Sequence, residues 1–120
     1  MAIWPKTSRM TGADLDLLAR RPLWQVGLDY NHGTGHGVGY HLYCHEGPQY
    51  VGRGSDVVLE PGMCVTDEPG YYEAGAFGIR IEDLLFTTVN ESMPSQLCFE
   101  NVTKVPYDRN LIKVELLSPG

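Results

Sequence analysis

Hydrophobic and polar positions change their period along this chain. Residues 11–29, TGADLDLLARRPLWQVGLD, carry Leu15, Leu18 and Leu23 near the 3.6-residue repeat of a helix, behind a threonine three positions ahead of Asp14. The pattern predicts a helix over about 12–26, which Pro22, lacking an amide to donate, should kink or divide. Strand signals follow. YHLYCH and DVVLEPGMCVTDE mix β-branched and aromatic residues with turn formers, and GIRIEDLLFTTV reads as one strand bounded by Gly75, Gly78 and Asn90. The run ENVTKVPYDRNLIKVELL predicts one or two edge strands, since Pro106 fits poorly in a central ladder. One helix ahead of about five short strands implies an α+β domain with a mostly antiparallel sheet.

Alternation within GIRIEDLLFTTV sends Ile79 and Ile81 to one face, expected to be the core, and Arg80 and Glu82 to the other, about 7 Å apart. Leu84 and Phe86 continue the Arg80/Glu82 face, so those charges should be buried or line a cleft. A buried charge must be paired or must hold a metal. Glu68, ahead of a Pro69-Gly70 turn, can be brought beside Glu82 by the hairpin joining the two strands. Neighbouring carboxylates repel unless a cation or proton lies between them.

Composition narrows the partners. The chain has 120 residues, 42% hydrophobic and 20% charged, within the range of one folded domain. A net charge of -6 without a basic run argues against nucleic acid. No stretch approaches a membrane span or a secretory signal, so the expectation is a soluble, cytoplasmic protein with no membrane partner. Cys44, Cys64 and Cys98 form no C-x-x-C pair and read as buried thiols.

The segment NHGTGHGVGYHLYCHEGP, residues 31–48, holds all four histidines of the chain. His32 and His36 have the spacing of two ligands on a helix, but Gly33, Gly35, Gly37 and Gly39 would each cost a helix about 1 kcal/mol. A loop or irregular strand fits better, with glycines where the backbone turns or is approached closely. Phosphate binding fails on detail, because Val38 stands where a dinucleotide fingerprint needs its third glycine. A plain loop histidine and a plain Arg80/Glu82 ion pair remain open. Carboxylates at the ends of adjacent strands together with an imidazole would suit manganese, cobalt or zinc.

The ordered motifs HGTGHGVG, HEGP, LEPGMCVTDEPGYY and GAFGIRIED closely resemble the C-terminal part of the Xaa-Pro aminopeptidases (aminopeptidase P), members of the methionine aminopeptidase-like, pita-bread metallopeptidases. The likeness runs from about Trp4 to Val114. It implies the second half of a pita-bread fold, a helix packed on a curved, mainly antiparallel sheet. By the same resemblance His36, Glu68 and Glu82 are metal ligands, with Glu82 bridging two divalent ions, manganese foremost and zinc or cobalt next. His32 and His45 would hold substrate and stabilise the developing oxyanion, Arg80 would orient the carboxylates, and Glu68 would carry the proton. The implied substrate is a peptide with proline at its second position, cleaved to release the N-terminal residue.

Two further ligands of such centres are aspartates on strands ahead of the helix, and residues 1–11 contain no Asp or Glu. The whole of 1–120 is therefore expected to be one part of a catalytic domain, binding metal weakly and inactive alone. Its uncovered apolar face would favour self-association or a homodimer. A non-catalytic pita-bread module that binds peptides or proteins is the alternative.

Overall fold

The computed structural model describes residues 2–117. The elements are β1 (Ile3–Pro5), α1 (Gly12–Trp24), β2 (Gly35–His36), β3 (Tyr50–Val51), β4 (Cys64–Asp67), β5 (Gly70–Glu73), β6 (Phe77–Arg80), β7 (Asp83–Val89) and β8 (Gln96–Asn101). A four-stranded antiparallel sheet runs in the order β1-β8-β7-β4, and β2-β3 and β5-β6 form two-stranded ladders. This is the α+β arrangement expected. No described helix is long and apolar enough to cross a membrane.

The start of α1 follows from its local sequence. Thr11 Oγ1 accepts from the Asp14 amide at 3.3 Å while the Asp14 carboxylate accepts from the Thr11 amide at 2.8 Å, so two otherwise orphaned donors are satisfied reciprocally. Pro22 does not divide the helix. It lies within the last turn, where its missing amide frees the carbonyl of half-exposed Leu18 and the helix ends two residues later. The buried face also departs from the leucine spacing: Leu15 is buried, but Asp16 and Arg20 are buried beside it while Leu18 is 48% exposed.

Trp4, Leu15, Val51, Leu59, Val65, Leu85, Leu97 and Phe99 form the core between α1 and the sheet. Each large side chain so buried stabilises the fold by about 1.5–3 kcal/mol. Trp4 packs on Phe99 with ring centroids 5.1 Å apart, which explains why β1, unrecognised from its pattern, closes the edge beside β8.

Several expectations change here. YHLYCH forms no strand and belongs to an exposed loop between β2 and β3. GIRIEDLLFTTV is two strands, β6 and β7, broken at Ile81 and Glu82. The core face of β7 is Leu85 and Thr87, whereas Ile79 and Ile81, expected inside, are more than half exposed because the hairpin runs on past the sheet there, with β6 paired to β5 alone. Arg80 and Glu82 are exposed rather than buried. After β8, itself a central strand, the chain forms two 3-10 turns at Arg109–Leu111 and Val114–Leu116 in place of further edge strands. The cysteines are not buried: Cys44 is exposed, and Cys64 and Cys98 are half-buried.

Candidate metal centre

The two carboxylates meet through strand register. β4 and β7 pair with Asp67 opposite Asp83, and β5 and β6 pair with Gly70 opposite Arg80. Both ladders share one register, so they form a single ribbon in which Glu68 stands opposite Glu82. The ladder is interrupted there because Pro69 has no amide and the Glu68 amide is drawn away to the Thr34 carbonyl at 2.7 Å. Across the gap, the Ile81 amide donates to the Pro69 carbonyl at 3.2 Å.

The bond from Glu68 to Thr34 also docks the histidine segment on β4. At Gly35 a β-carbon would stand 1.7 Å from the Thr66 carbonyl oxygen, so only glycine permits this approach. The next amide, His36, donates to Thr66 Oγ1 at 2.9 Å, and that hydroxyl donates to Glu68 Oε1 at 2.9 Å. Thr66 thus holds the histidine backbone and the glutamate carboxylate together.

His36 Nδ1 lies 2.8 Å from the Gly37 carbonyl, which can only accept, so Nδ1 carries the proton. Its Nε2 then faces Glu68 Oε1 at 3.3 Å. A nitrogen and a carboxylate oxygen at that distance have either a proton or a metal cation between them. One ligand atom from each of His36, Glu68 and Glu82 lies within 4.8 Å of the others. Three ligands spread about a shared ion at about 2.0–2.2 Å lie roughly 3.3–3.8 Å apart, so the group fits a cation after closing by at most about 1.5 Å.

Further carboxylates stand beside this group. Burial, then the charges of Asp83 and Glu68, push the Asp67 carboxyl above its ordinary range.

Around this group lies a polar chain. Arg80 Nη1 is 3.8 Å from Glu68 Oε2, and Arg80 Nε donates to the Tyr72 hydroxyl at 3.0 Å. His32 Nδ1 points at the Gly33 carbonyl at 2.7 Å, so its Nε2 accepts from the Tyr72 hydroxyl, also at 2.7 Å. Protons therefore run from Arg80 through Tyr72 to His32. Tyr72 was not singled out from the sequence. Its signal is the pair of glycines around it: β-carbons at Gly70 and Gly78 would stand 2.5 and 2.8 Å from its side chain. His45, on the exposed loop, lies with its ring centroid 3.9 Å from that of His36, the two rings tilted by 43°. All six residues singled out from the sequence thus fall in one neighbourhood.

Residues 2–89 match metallopeptidase family M24. The chain belongs to that family. Among its M24 relatives, aminopeptidase P1 of Lotus japonicus is 48% identical over 98% of this chain and 18% of its own length. Xaa-Pro aminopeptidase 1 of Dictyostelium discoideum is 49% identical over 92% of this chain and 19% of its own. The chain thus spans about a fifth of the curated relatives it matches. The X-prolyl aminopeptidase of Caenorhabditis elegans, described as a cytosolic enzyme with a di-nuclear active site, superposes with a TM-score of 0.85 at 40% identity, over 98% of this chain and 19% of that one. A prolidase from Pyrococcus furiosus gives 0.69 at 35% identity, over 82% of this chain and 27% of that one. The pita-bread fold read from the sequence is therefore the M24 fold.

Proposed function

We propose that this chain supplies His36, Glu68 and Glu82 as ligands to the dinuclear centre of an Xaa-Pro aminopeptidase, which releases the N-terminal residue from peptides with proline at position two. The reading is carried by one observation, the convergence of an imidazole and two carboxylates from three separate segments within 4.8 Å. The names of the Lotus and Dictyostelium relatives support the substrate class. The C. elegans relative supports a pair of ions and a cytoplasmic setting.

Divalent cations, manganese first and zinc or cobalt next, would polarise the scissile carbonyl and acidify water. Glu68 takes and returns a proton, since its carboxylate is held by Thr66 on one oxygen and approached by Arg80 on the other. His45, whose ring lies against His36, donates to the oxygen that gains charge. Through Tyr72, Arg80 fixes the orientation of His32 on the substrate side. The remaining carboxylate ligands belong to sequence outside this segment, so the segment alone binds metal weakly and does not turn over. Its exposed Leu17, Leu18, Phe77, Ile79 and Ile81 favour self-association.

Calorimetric titration with manganese and with zinc, on wild type and on Glu82→Gln, tests the ligand set. Saturable manganese binding lost in the variant is the expected result. Manganese binding that is absent, or indifferent to Glu82→Gln, would overturn it and favour a peptide-binding module.

A further inference from the structure

The loop between β2 and β3 brings a second, chemically different set of donors to His36. One ligand atom each from His36, Cys44 and His45 lies within 4.8 Å of the others. Cys44 is a free, exposed thiol, and the His36 and His45 rings are 3.9 Å apart with an interplanar angle of 43°. The loop is braced in this shape. The Gly37 amide donates to the Gln49 carbonyl at 3.1 Å, the Glu46 amide to the Gly37 carbonyl at 2.9 Å, and the Gly39 amide to the Tyr43 carbonyl at 2.9 Å. Those bonds fold residues 37–49 back so that Cys44 and His45 return to His36. Gly37 is needed for the closure, because a β-carbon there would stand 2.0 Å from the Glu46 carbonyl oxygen.

We propose that His36, Cys44 and His45 form a zinc site that competes with Glu68 and Glu82 for His36. Two imidazoles and a thiolate are donors that zinc prefers, whereas an imidazole with two carboxylates also accepts harder ions such as manganese. Zinc bonds of about 2.0–2.3 Å place tetrahedral ligand atoms roughly 3.3–3.8 Å apart, so this triplet closes by at most about 1.5 Å to reach them. Water fills the fourth position. Binding displaces the Cys44 proton to solvent.

The competition follows from one hydrogen bond. With Nδ1 committed to the Gly37 carbonyl, His36 has a single lone pair, at Nε2, and it cannot serve an ion on the loop and an ion between the carboxylates together. Excess zinc therefore opposes manganese loading, independently of catalysis. The competition rests on the carboxylate reading above; the thiol site itself does not.

Cadmium, a zinc stand-in whose bond to thiolate absorbs in the ultraviolet, tests this on the 120-residue chain. Wild type should show a saturable band that zinc removes. Cys44→Ser should lack it, and His45→Ala should weaken cadmium binding about tenfold or more. Glu82→Gln should keep it while losing manganese binding. Manganese should weaken cadmium binding in wild type and not in Glu82→Gln. No band in wild type, a band that survives Cys44→Ser, or one indifferent to His45→Ala would overturn the site. Cadmium binding indifferent to bound manganese would overturn the competition. If manganese fails to bind, the carboxylate reading and the competition fall together, while the wild-type and Cys44→Ser spectra still decide the thiol site.

Discussion

Arg20, on α1, donates to the backbone carbonyl of His32 at 2.5 Å, so the helix grips the histidine segment by its main chain. The same guanidinium donates to the Tyr30 carbonyl at 2.7 Å and to Asp29 at 2.8 Å, and its Nε reaches both Asp16 oxygens at 2.9 and 3.0 Å. Asp16 also accepts from Thr34 at 2.5 Å. With Asp16 fully buried and Arg20 3% exposed, this network is paired at every charge.

Removing one partner should therefore cost more than removing both. Arg20→Met leaves the Asp16 carboxylate buried without its cation, a loss of about 3–5 kcal/mol. Urea unfolding should show Asp16→Leu/Arg20→Met to be more stable than Arg20→Met alone. A double variant whose loss equals the sum of the singles would contradict the coupling.

Gly35 and Gly33 are predicted to differ sharply although they are two residues apart. Gly35→Ala drives a β-carbon into the Thr66 carbonyl, separates β2 from β4 and should cost about 1–3 kcal/mol together with a loss of manganese affinity. At Gly33 the nearest atom to an added β-carbon is 3.5 Å away, an ordinary contact, so Gly33→Ala should stay within about 0.5 kcal/mol. Thermal unfolding of the two variants side by side checks this.

Thr66 supports the proposed ligands without being one of them. Thr66→Val removes the hydroxyl that accepts from the His36 amide and donates to Glu68. Manganese affinity should fall about 10–100-fold. Thr66→Ser, which keeps the hydroxyl, should restore most of it in calorimetry, an outcome that loss of packing alone would not produce.

The alkaline limb of stability should contain a contribution from Tyr107. Its hydroxyl donates to Asp83 Oδ2 at 2.5 Å, and that bond, with burial and the Asp83 charge adding to it, pushes the phenol up to about 12. An unfolded tyrosine titrates near 10. The folded state thus holds this proton more tightly, so the contribution is full below about pH 10 and is lost as pH rises toward about 12. Stability measured at increasing pH should fall less steeply in Tyr107→Phe than in wild type. Phenolate absorbance should show one late-titrating tyrosine fewer in the variant, with Tyr30, which burial also pushes up, still among them.

Local features were legible where their causes lie a few residues apart. The Thr11 and Asp14 capping pair is such a case, and so is the hairpin that brings Glu68 to Glu82, because an antiparallel ribbon's register is carried along its own two strands. The exposure of Ile79 and Ile81 was not legible. Their alternation fits a core strand, but burial depends on whether a sheet continues beside them, and β6 pairs with β5 alone. YHLYCH failed as a strand for a similar reason, since its backbone is committed to loop bonds such as that from Gly39 to Tyr43.

The sequence by itself determined the capped helix, the α+β class, the family motifs and the residue types available to hold a metal, because these depend on local propensity, pairing register and chemistry. Only the tertiary structure decided that Thr66 joins His36 to Glu68, that Arg20 is buried to hold the histidine segment, that Tyr72 links His32 to Arg80, and that Cys44 returns to His36. Each is a contact between segments far apart along the chain, made by close backbone approach and by the need to pair every buried charge, and no local pattern encodes such a distance.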